Sequence, residues 1–323
     1  MRIQTVPLNE AEGHLLVHNI VNREGRKVVS KGTRLRSSHV AALRDVGVTV
    51  VDVAVLDPED VHEDEAATRL AEAMATAHMA TTRGVGGRVN LHTTVLGVLH
   101  VEAERLWALN QLPGITLATR PPYTVVRPEK GASQVATLKI IPYAVPERVL
   151  AEALALAPGL LDVRPLPARR VALLITGDPA AHGRLRQQFE PPMRARVERL
   201  GSQLLAVEAV PFAETAVAEA ARRLLALNDM LIVVGQTSVM DEHDLIPRAL
   251  RAAGATFALH GAPVEPGNLL ALAYLPDGRP VLCAPGCARS PSHNVVDMVL
   301  PRLLTGERLG RREIAALGLG GLL

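Results

Sequence analysis

The sequence predicts an α/β protein in which a doubly wound, mostly parallel sheet fills the C-terminal half and follows an α+β, β-rich N-terminal region. Three observations carry this. After residue 170, short apolar strands alternate with amphipathic helices, the pattern of parallel strands joined by helical crossovers. Before residue 164, short β-branched runs are separated by Gly and Pro turns. Between them lies Arg164-Pro165-Leu166-Pro167-Ala168-Arg169-Arg170, whose prolines keep the chain extended and unsuited to a helix or a central strand.

In the N-terminal half, residues 48–55, 115–118, 123–126 and 135–141 read as strands. A helix is predicted over residues 37–46, closed by Gly47, and another over 146–157, closed by Pro158-Gly159. The clearest helix signal is Asp57-Pro58-Glu59-Asp60: Asp57 can cap free backbone N–H groups, Pro58 suits the first helical position, and acids favour the positive end of the dipole. That helix is predicted to run from 57 to 79. Gly84-Val85-Gly86-Gly87 marks either a hinge or a plain surface loop. The domains expected are therefore an N-terminal α+β piece (1–83), a middle β-rich piece (84–168) and the C-terminal α/β domain (169–323).

In that last domain the strands are predicted at 171–175, 204–209, 230–234 and 256–259. A hairpin pairs 269–275 with 281–284 across Pro276-Asp277-Gly278-Arg279. Helices are predicted around 193–200, at 214–227, at 244–253 before Gly254, and at 292–304.

Composition narrows the function. The chain has 323 residues, 48% hydrophobic and 21% charged, as in an ordinary folded protein of two domains or three small ones. Lys plus Arg (35) nearly balances Asp plus Glu (33), and aromatic residues are only 2%, so stacking platforms for single-stranded nucleic acid are scarce and nucleic acid is not expected as a partner. The apolar runs fall short of the ~20 residues a spanning helix needs, and Met1-Arg2-Ile3-Gln4 opens no apolar signal region; no membrane association and a cytoplasmic location are expected. Cys283 and Cys287 are too few for a four-ligand zinc site or a disulfide framework and read as reduced thiols.

In an open α/β sheet, ligands bind beyond the carboxyl ends of the strands. Three such loops are unusual: Thr176-Gly177-Asp178, the stretch from Gly235-Gln236-Thr237-Ser238 to Asp244, and Pro285-Gly286-Cys287-Ala288-Arg289-Ser290. Each offers Gly for close backbone approach, a hydroxyl or amide, and the start of a helix, and together they outline a phosphate-binding site. Asp241, Glu242 and Asp244 could hold Mg²⁺ against a bound phosphate, although the same acids also suit the first turn of a helix. Arg289 could pair with an anion as a planar fork or lie solvated. No Walker loop, G-x-G-x-x-G fingerprint or G-x-S-x-G elbow is present, and His14, His18, His62 and His92 have no ligand spacing.

These loops resemble, in order, those of the MoaB/Mog-type molybdopterin-binding domain, shared by gephyrin, molybdopterin adenylyltransferases and molybdotransferases. The resemblance spans roughly residues 171–304 and includes Gly261-Ala262-Pro263-Val264-Glu265-Pro266-Gly267 as the segment ending in a Pro-Gly turn. Residues 6–13 and 31–48 resemble the opening of molybdotransferases. The resemblance implies molybdopterin, in free or adenylylated form, as cofactor. It implies binding by Thr176, Gly177, Asp178, Gly235, Thr237, Ser238, Pro266, Gly267, Pro285, Gly286, Arg289 and Ser290, with Asp244 and Asp241 as catalytic, Mg²⁺-linked carboxylates. It further implies a homo-oligomer, and as partner a molybdenum enzyme or a molybdopterin nucleotidyltransferase, a domain that would follow residues 314–323 in related fusions and is expected here on a separate chain. The sequence departs from the family pattern at Pro179, at Gln236 and Met240 in place of Gly, and by one extra residue between Ser238 and Asp244. Turnover with Mg²⁺ and cofactor carriage without turnover therefore both stay open, with a nicotinamide-nucleotide amidohydrolase as a further alternative.

Overall fold

The computed structural model describes residues 1–129, 131 and 133–323. The elements run β1 (Arg2–Pro7), β2 (Leu15–Leu16), β3 (Ile20–Val21), β4 (Lys27–Val29), α1 (Ser37–Asp45), β5 (Val50–Val55), β6 (Asp60–His62), α2 (Glu63–Met74), β7 (Met79–Arg83), β8 (Arg88–Thr93), β9 (Gly97–Val101), α3 (Ala103–Gln111), β10 (Ile115–Thr119), β11 (Val125–Val126), β12 (Gln134–Ile140), β13 (Ala144–Pro146), α4 (Glu147–Leu156) and β14 (Leu161–Pro165). They continue with β15 (Arg170–Gly177), α5 (His182–Arg199), β16 (Gln203–Pro211), α6 (Glu214–Leu227), β17 (Met230–Gly235), α7 (Leu245–Ala252), β18 (Thr256–His260), β19 (Ala271–Tyr274), β20 (Pro280–Cys283), α8 (Val295–Leu304) and α9 (Arg311–Ala315). The chain separates into two compact units, Met1–Val95 with Leu99–Val163, and Leu96–Val98 with Arg164–Leu323.

The first unit is α+β. A four-stranded antiparallel sheet in the order β10-β12-β8-β7 carries α2 and α4 on a core that includes Leu70, Leu91, Leu138 and Leu150. A smaller sheet, β1-β5-β2, closes over Leu16, Leu35, Leu43 and Val53. Gly84-Val85-Gly86-Gly87, read as either a hinge or a surface loop, is the turn of the antiparallel β7–β8 pair, with Gly86 and Gly87 at φ of 65° and 66°.

The helix expected from residue 57 starts only at Glu63, with the His62 Nδ1 accepting the Asp64 N–H, and stops at Met74. Asp57 and Asp60 instead hold the N-terminal ammonium at 2.7 and 2.6 Å, and residues 60–62 pair with β13 as a strand. Tertiary pairing here overrides a sound local capping signal. Inside this unit Glu63 is buried beside the Lys139 Nζ at 3.4 Å. Burial nonetheless pushes its carboxyl above the ordinary range, because a single long contact offsets only part of the desolvation.

The second unit is a six-stranded sheet in the order β16-β15-β17-β20-β19-β18. The β16–β15, β15–β17 and β17–β20 pairs are parallel, whereas β19 runs antiparallel to both β20 and β18. Residues 171–175 are fully buried, which explains their unbroken apolar run: a central parallel strand is covered on both faces. On α6, Val217, Ala218, Ala221, Leu224 and Leu225 form the stripe that meets the sheet. The helix expected around 193–200 begins eleven residues earlier, at His182, and runs through Pro191 and Pro192. Its Leu185, Phe189, Met193 and Val197 recur every four residues and are buried, so packing of that stripe compensates for the amide donors the two prolines lack.

Candidate functional site

β15, β17 and β20 are adjacent and parallel, so the loops after them emerge at one edge of the sheet. The first and second loops interlock. The Gln236 backbone N–H donates to the Thr176 carbonyl at 2.9 Å, and the Gln236 Oε1 accepts the Asp178 N–H at 3.0 Å. A Cβ on Gly177 would lie 2.7 Å from the Leu185 side chain and 3.1 Å from that of Gln236, and one on Gly235 would lie 2.8 Å from the Thr237 carbonyl. Both glycines are there for close approach of the chain to itself. Beside them a cleft of about 470 Å³ is lined by Gly177, Asp178, Pro211, Phe212, Gln236 and Thr237.

The expected binding residues divide by what their polar atoms already do. The Thr176 hydroxyl is buried and donates to the Pro211 carbonyl at 3.2 Å, so it braces β16. Asp178 accepts the Ala180 N–H at 2.8 Å as the cap of a single 3₁₀ turn. The Thr237 side chain is exposed at the cleft, and the Ser238 Oγ comes within 3.7 Å of where a Gly286 Cβ would stand, joining the second loop to the third. Arg289 donates from Nε to the Gly286 carbonyl at 2.8 Å and lies over the Phe189 ring at 5.2 Å. The Ser290 Oγ accepts the Ser292 N–H at 3.1 Å. Pro285 opens the 3₁₀ turn Gly286–Arg289, its carbonyl accepting the Ala288 N–H at 3.0 Å.

Pro266 and Gly267 meet the start of α8. The Pro266 carbonyl accepts the Val295 N–H at 3.4 Å, and Gly267 has φ +139° with the Val295 side chain 2.3 Å from any added Cβ.

The acids fold the second loop on itself. The Asp244 Oδ2 accepts the Met240 and Asp241 N–H groups at 2.6 and 3.3 Å, and the Asp241 Oδ1 accepts that of His243 at 2.6 Å. Glu242 pairs with Arg251 at 3.1 Å. Asp244 is also the residue that precedes α7, although its side chain makes no helix-capping bond. Among the described residues, no group of three or more His, Cys, Asp or Glu side chains is placed to hold a metal ion. Cys283 is buried in β20, where desolvation pushes its thiol up to about 12, and burial also raises Cys287. Neither thiol is poised as a nucleophile.

One set of residues lies outside those the sequence pattern singles out. Arg196, buried in α5, pairs with Asp297 at 3.0 Å and donates to the carbonyls of Ala288, Ser290 and Ser292 at 3.2, 2.8 and 2.9 Å. Asp297 also accepts the Asn294 N–H, while Asn294 accepts the Val296 N–H and donates to the Cys287 carbonyl. The third loop is thus held from inside by a guanidinium and a capping box. The spacing Asn294-x-x-Asp297 is a readable capping signal; Arg196, one of three arginines between residues 194 and 199 counting Arg194 and Arg199, is marked by nothing until the fold buries it.

Comparison with known proteins places this unit. Residues 172–305 match the family described as a probable molybdopterin binding domain. This match lies within the second unit. No curated protein matches the chain. Among solved structures, a molybdenum cofactor biosynthesis protein from Pyrococcus furiosus is 13% identical, over 98% of this chain and 65% of that one, with a TM-score of 0.27. A molybdopterin biosynthesis MoeA protein from Pyrococcus horikoshii is 13% identical over 94% and 75%, with a TM-score of 0.32. The molybdopterin biosynthesis enzyme MoaB from Thermus thermophilus is 17% identical and covers 43% of this chain and 98% of its own, with a TM-score of 0.31. The chain spans 65% of the length of the Pyrococcus furiosus protein. Among the described residues no helix is long and apolar enough to cross a membrane.

Proposed function

We propose that this protein binds molybdopterin at the edge formed by the loops after β15, β17 and β20 and acts in molybdenum cofactor biosynthesis. The observation that carries the reading is the match of residues 172–305 to the molybdopterin-binding family together with the convergence of those three loops on one sheet edge. The backbone of Gly235 and Gly286 and the hydroxyls of Thr237 and Ser238 receive the phosphate end, with Arg289 adjacent.

Asp241 and Asp244 fit a Mg²⁺ role to this extent: each spends one carboxylate oxygen on the loop, and the other makes no hydrogen bond among the described residues. Mg²⁺ commonly keeps several waters and takes one or two carboxylates plus phosphate oxygens. Bound there, the ion would neutralise phosphate charge; the two carboxylates would orient it, and their remaining oxygens would keep the loop closed.

Carriage without turnover is favoured by Gln236. Its carboxamide already takes the Asp178 N–H, a donor that a bound phosphate would otherwise use. A carrier needs a recipient, and a molybdopterin nucleotidyltransferase or a molybdenum enzyme is the partner this reading requires.

The test is retention or uptake of molybdopterin by the purified chain, detected as the fluorescent oxidised pterin, in wild type, Ser238→Ala and Asp244→Asn. The asparagine variant keeps an acceptor for the Met240 N–H and removes the charge. Binding by wild type that falls in both variants is the expected result, and an adenylyl-molybdopterin turnover assay then separates enzyme from carrier. Absence of pterin from wild type with Mg²⁺ supplied would overturn the reading.

A further inference from the structure

The loop after β16 reaches the same sheet edge and carries a side chain that the proposed function leaves unused. β16 pairs in parallel with β15, with Pro211 opposite Gly177, so the next residue, Phe212, stands beside the first loop. The Phe212 N–H donates to the Gly177 carbonyl at 3.1 Å, and the Ala213 N–H to the Pro211 carbonyl at 2.7 Å. The backbone is thus pinned on both sides of the ring. Phe212 is 43% exposed, whereas Phe189 and Tyr274, also in the second unit, are 1% and 3% exposed. With Pro179 and Pro211 it gives the cleft of about 470 Å³ an apolar wall.

A single exposed ring is common on protein surfaces, and it is the polar groups beside this one that define a ligand. Asp178 and Gln236 line the same cleft and are exposed. Asp178 spends Oδ1 on the Ala180 N–H, and its Oδ2 makes no hydrogen bond or ion pair among the described residues. Gln236 spends Oε1 on the Asp178 N–H, and its Nε2 donates to no group among the described residues. The cleft therefore offers an unneutralised carboxylate, an amide donor and an aromatic face. A carboxylate repels phosphate, so this end of the edge does not suit the anionic end of a ligand.

The pyrimidine half of a pterin matches that set. Its 2-amino group and N3–H are adjacent donors that one carboxylate accepts together, and its 4-oxo group accepts from an amide. Its planar face suits an aromatic side chain, as nucleic-acid bases do. We infer that the ligand lies along the sheet edge in one direction, its pterin ring on Phe212 with Asp178 and Gln236 at the ring's polar edge, and its phosphate towards Ser238 and Gly286. The inference rests on the molybdopterin reading above and adds Phe212 as a specificity-determining residue.

The test follows the fluorescence anisotropy of two phosphate-free probes, pterin and lumazine, as the full chain is added. Lumazine carries a 2-oxo group in place of the 2-amino group and so presents an acceptor to Asp178. Pterin should bind more tightly than lumazine by about tenfold, the size of one unmade hydrogen bond to a charged group. Phe212→Ala should weaken pterin by about tenfold through loss of stacking. Phe212→Tyr, which keeps the ring, should stay within about twofold of wild type. Asp178→Asn keeps the acceptor for the Ala180 N–H and should erase the preference over lumazine. Excess inorganic phosphate should leave pterin bound, since it takes the far end. Failure of wild type to bind pterin, equal affinity for the two probes, or wild-type affinity in Phe212→Ala would each overturn the assignment. So would a loss in Phe212→Tyr as large as in Phe212→Ala, a preference kept in Asp178→Asn, or displacement of pterin by phosphate. A chain that retains molybdopterin yet fails these arms keeps the proposed function and loses only this orientation. A chain that retains none overturns the reading beneath it, whatever the probes show.

Discussion

The second and third loops of the candidate site face the same sheet edge but are held in opposite ways. Pro285 to Ser290 is tied from beneath by Arg196, whose side chain is 4% exposed, and by Asp297, 5% exposed. The stretch from Gly235 to Asp244 is tied by its own carboxylates at the surface. A loop fixed by a buried charge pair is as rigid as the core around it. A loop fixed by exposed Asx-type bonds opens at a cost of about 1 kcal/mol for each bond broken, and this loop has three. The difference implies that the third loop presents a constant surface and that the second adapts to whatever enters.

The contrast can be broken most directly at Arg196. Arg196→Ala leaves Asp297 buried without its main partner and frees three carbonyls, and should destabilise the second unit by about 3–5 kcal/mol, read in chemical denaturation. A loss below about 1 kcal/mol would mean the third loop is not held from beneath. Gly267→Ala comes next. At φ +139°, with Val295 2.3 Å from the new Cβ, it should cost about 1–3 kcal/mol by the same measurement. Asn294→Ala removes the α8 cap and one tie to Cys287, for a loss of about 1 kcal/mol. Asp244→Asn should change stability by no more than about 0.5 kcal/mol, since it keeps the acceptor and the site is exposed, while lowering pterin retention.

A pH series sharpens the same distinction between buried and exposed carboxyls. Glu63 has its folded-state pKa raised, so its contribution to stability is fully present below the unfolded value and is lost as pH rises through the folded one. Glu63→Gln should remove that loss and flatten the stability of the first unit across the acid range. A wild-type slope kept in the variant would assign it to another group.

Much of the second unit was legible from residue pattern alone. Residues 171–175, 230–234 and the hairpin across Pro276–Arg279 announced themselves by unbroken apolar runs and a Gly turn, because central parallel strands and tight turns leave compositional marks. The three loops were found because glycines with hydroxyls follow those strands. What stayed hidden depended on the third dimension. The Asp57-Pro58 capping signal is locally sound and loses to strand pairing and to the N-terminal ammonium. α5 crosses Pro191-Pro192 because a buried stripe compensates. Thr176 looked like a ligand hydroxyl and braces Pro211; Gln236 looked like a simple departure and bridges two loops. Phe212 comes beside Asp178 and Gln236 only through the pairing of β16 with β15.

The mixed sheet carries a consequence for how this unit assembles. β19 and β20 are neighbours in sequence and in space, joined by a tight turn, whereas β17 reaches β20 only after α7, β18 and β19 have been threaded between them. Closing a short loop is fast and costs little entropy; registering distant parallel strands is slow. The antiparallel arm should thus gain amide protection ahead of the β15–β17–β20 ladder in pulse-labelled refolding, so that the loop after β20 is tethered at one end before the edge it completes exists.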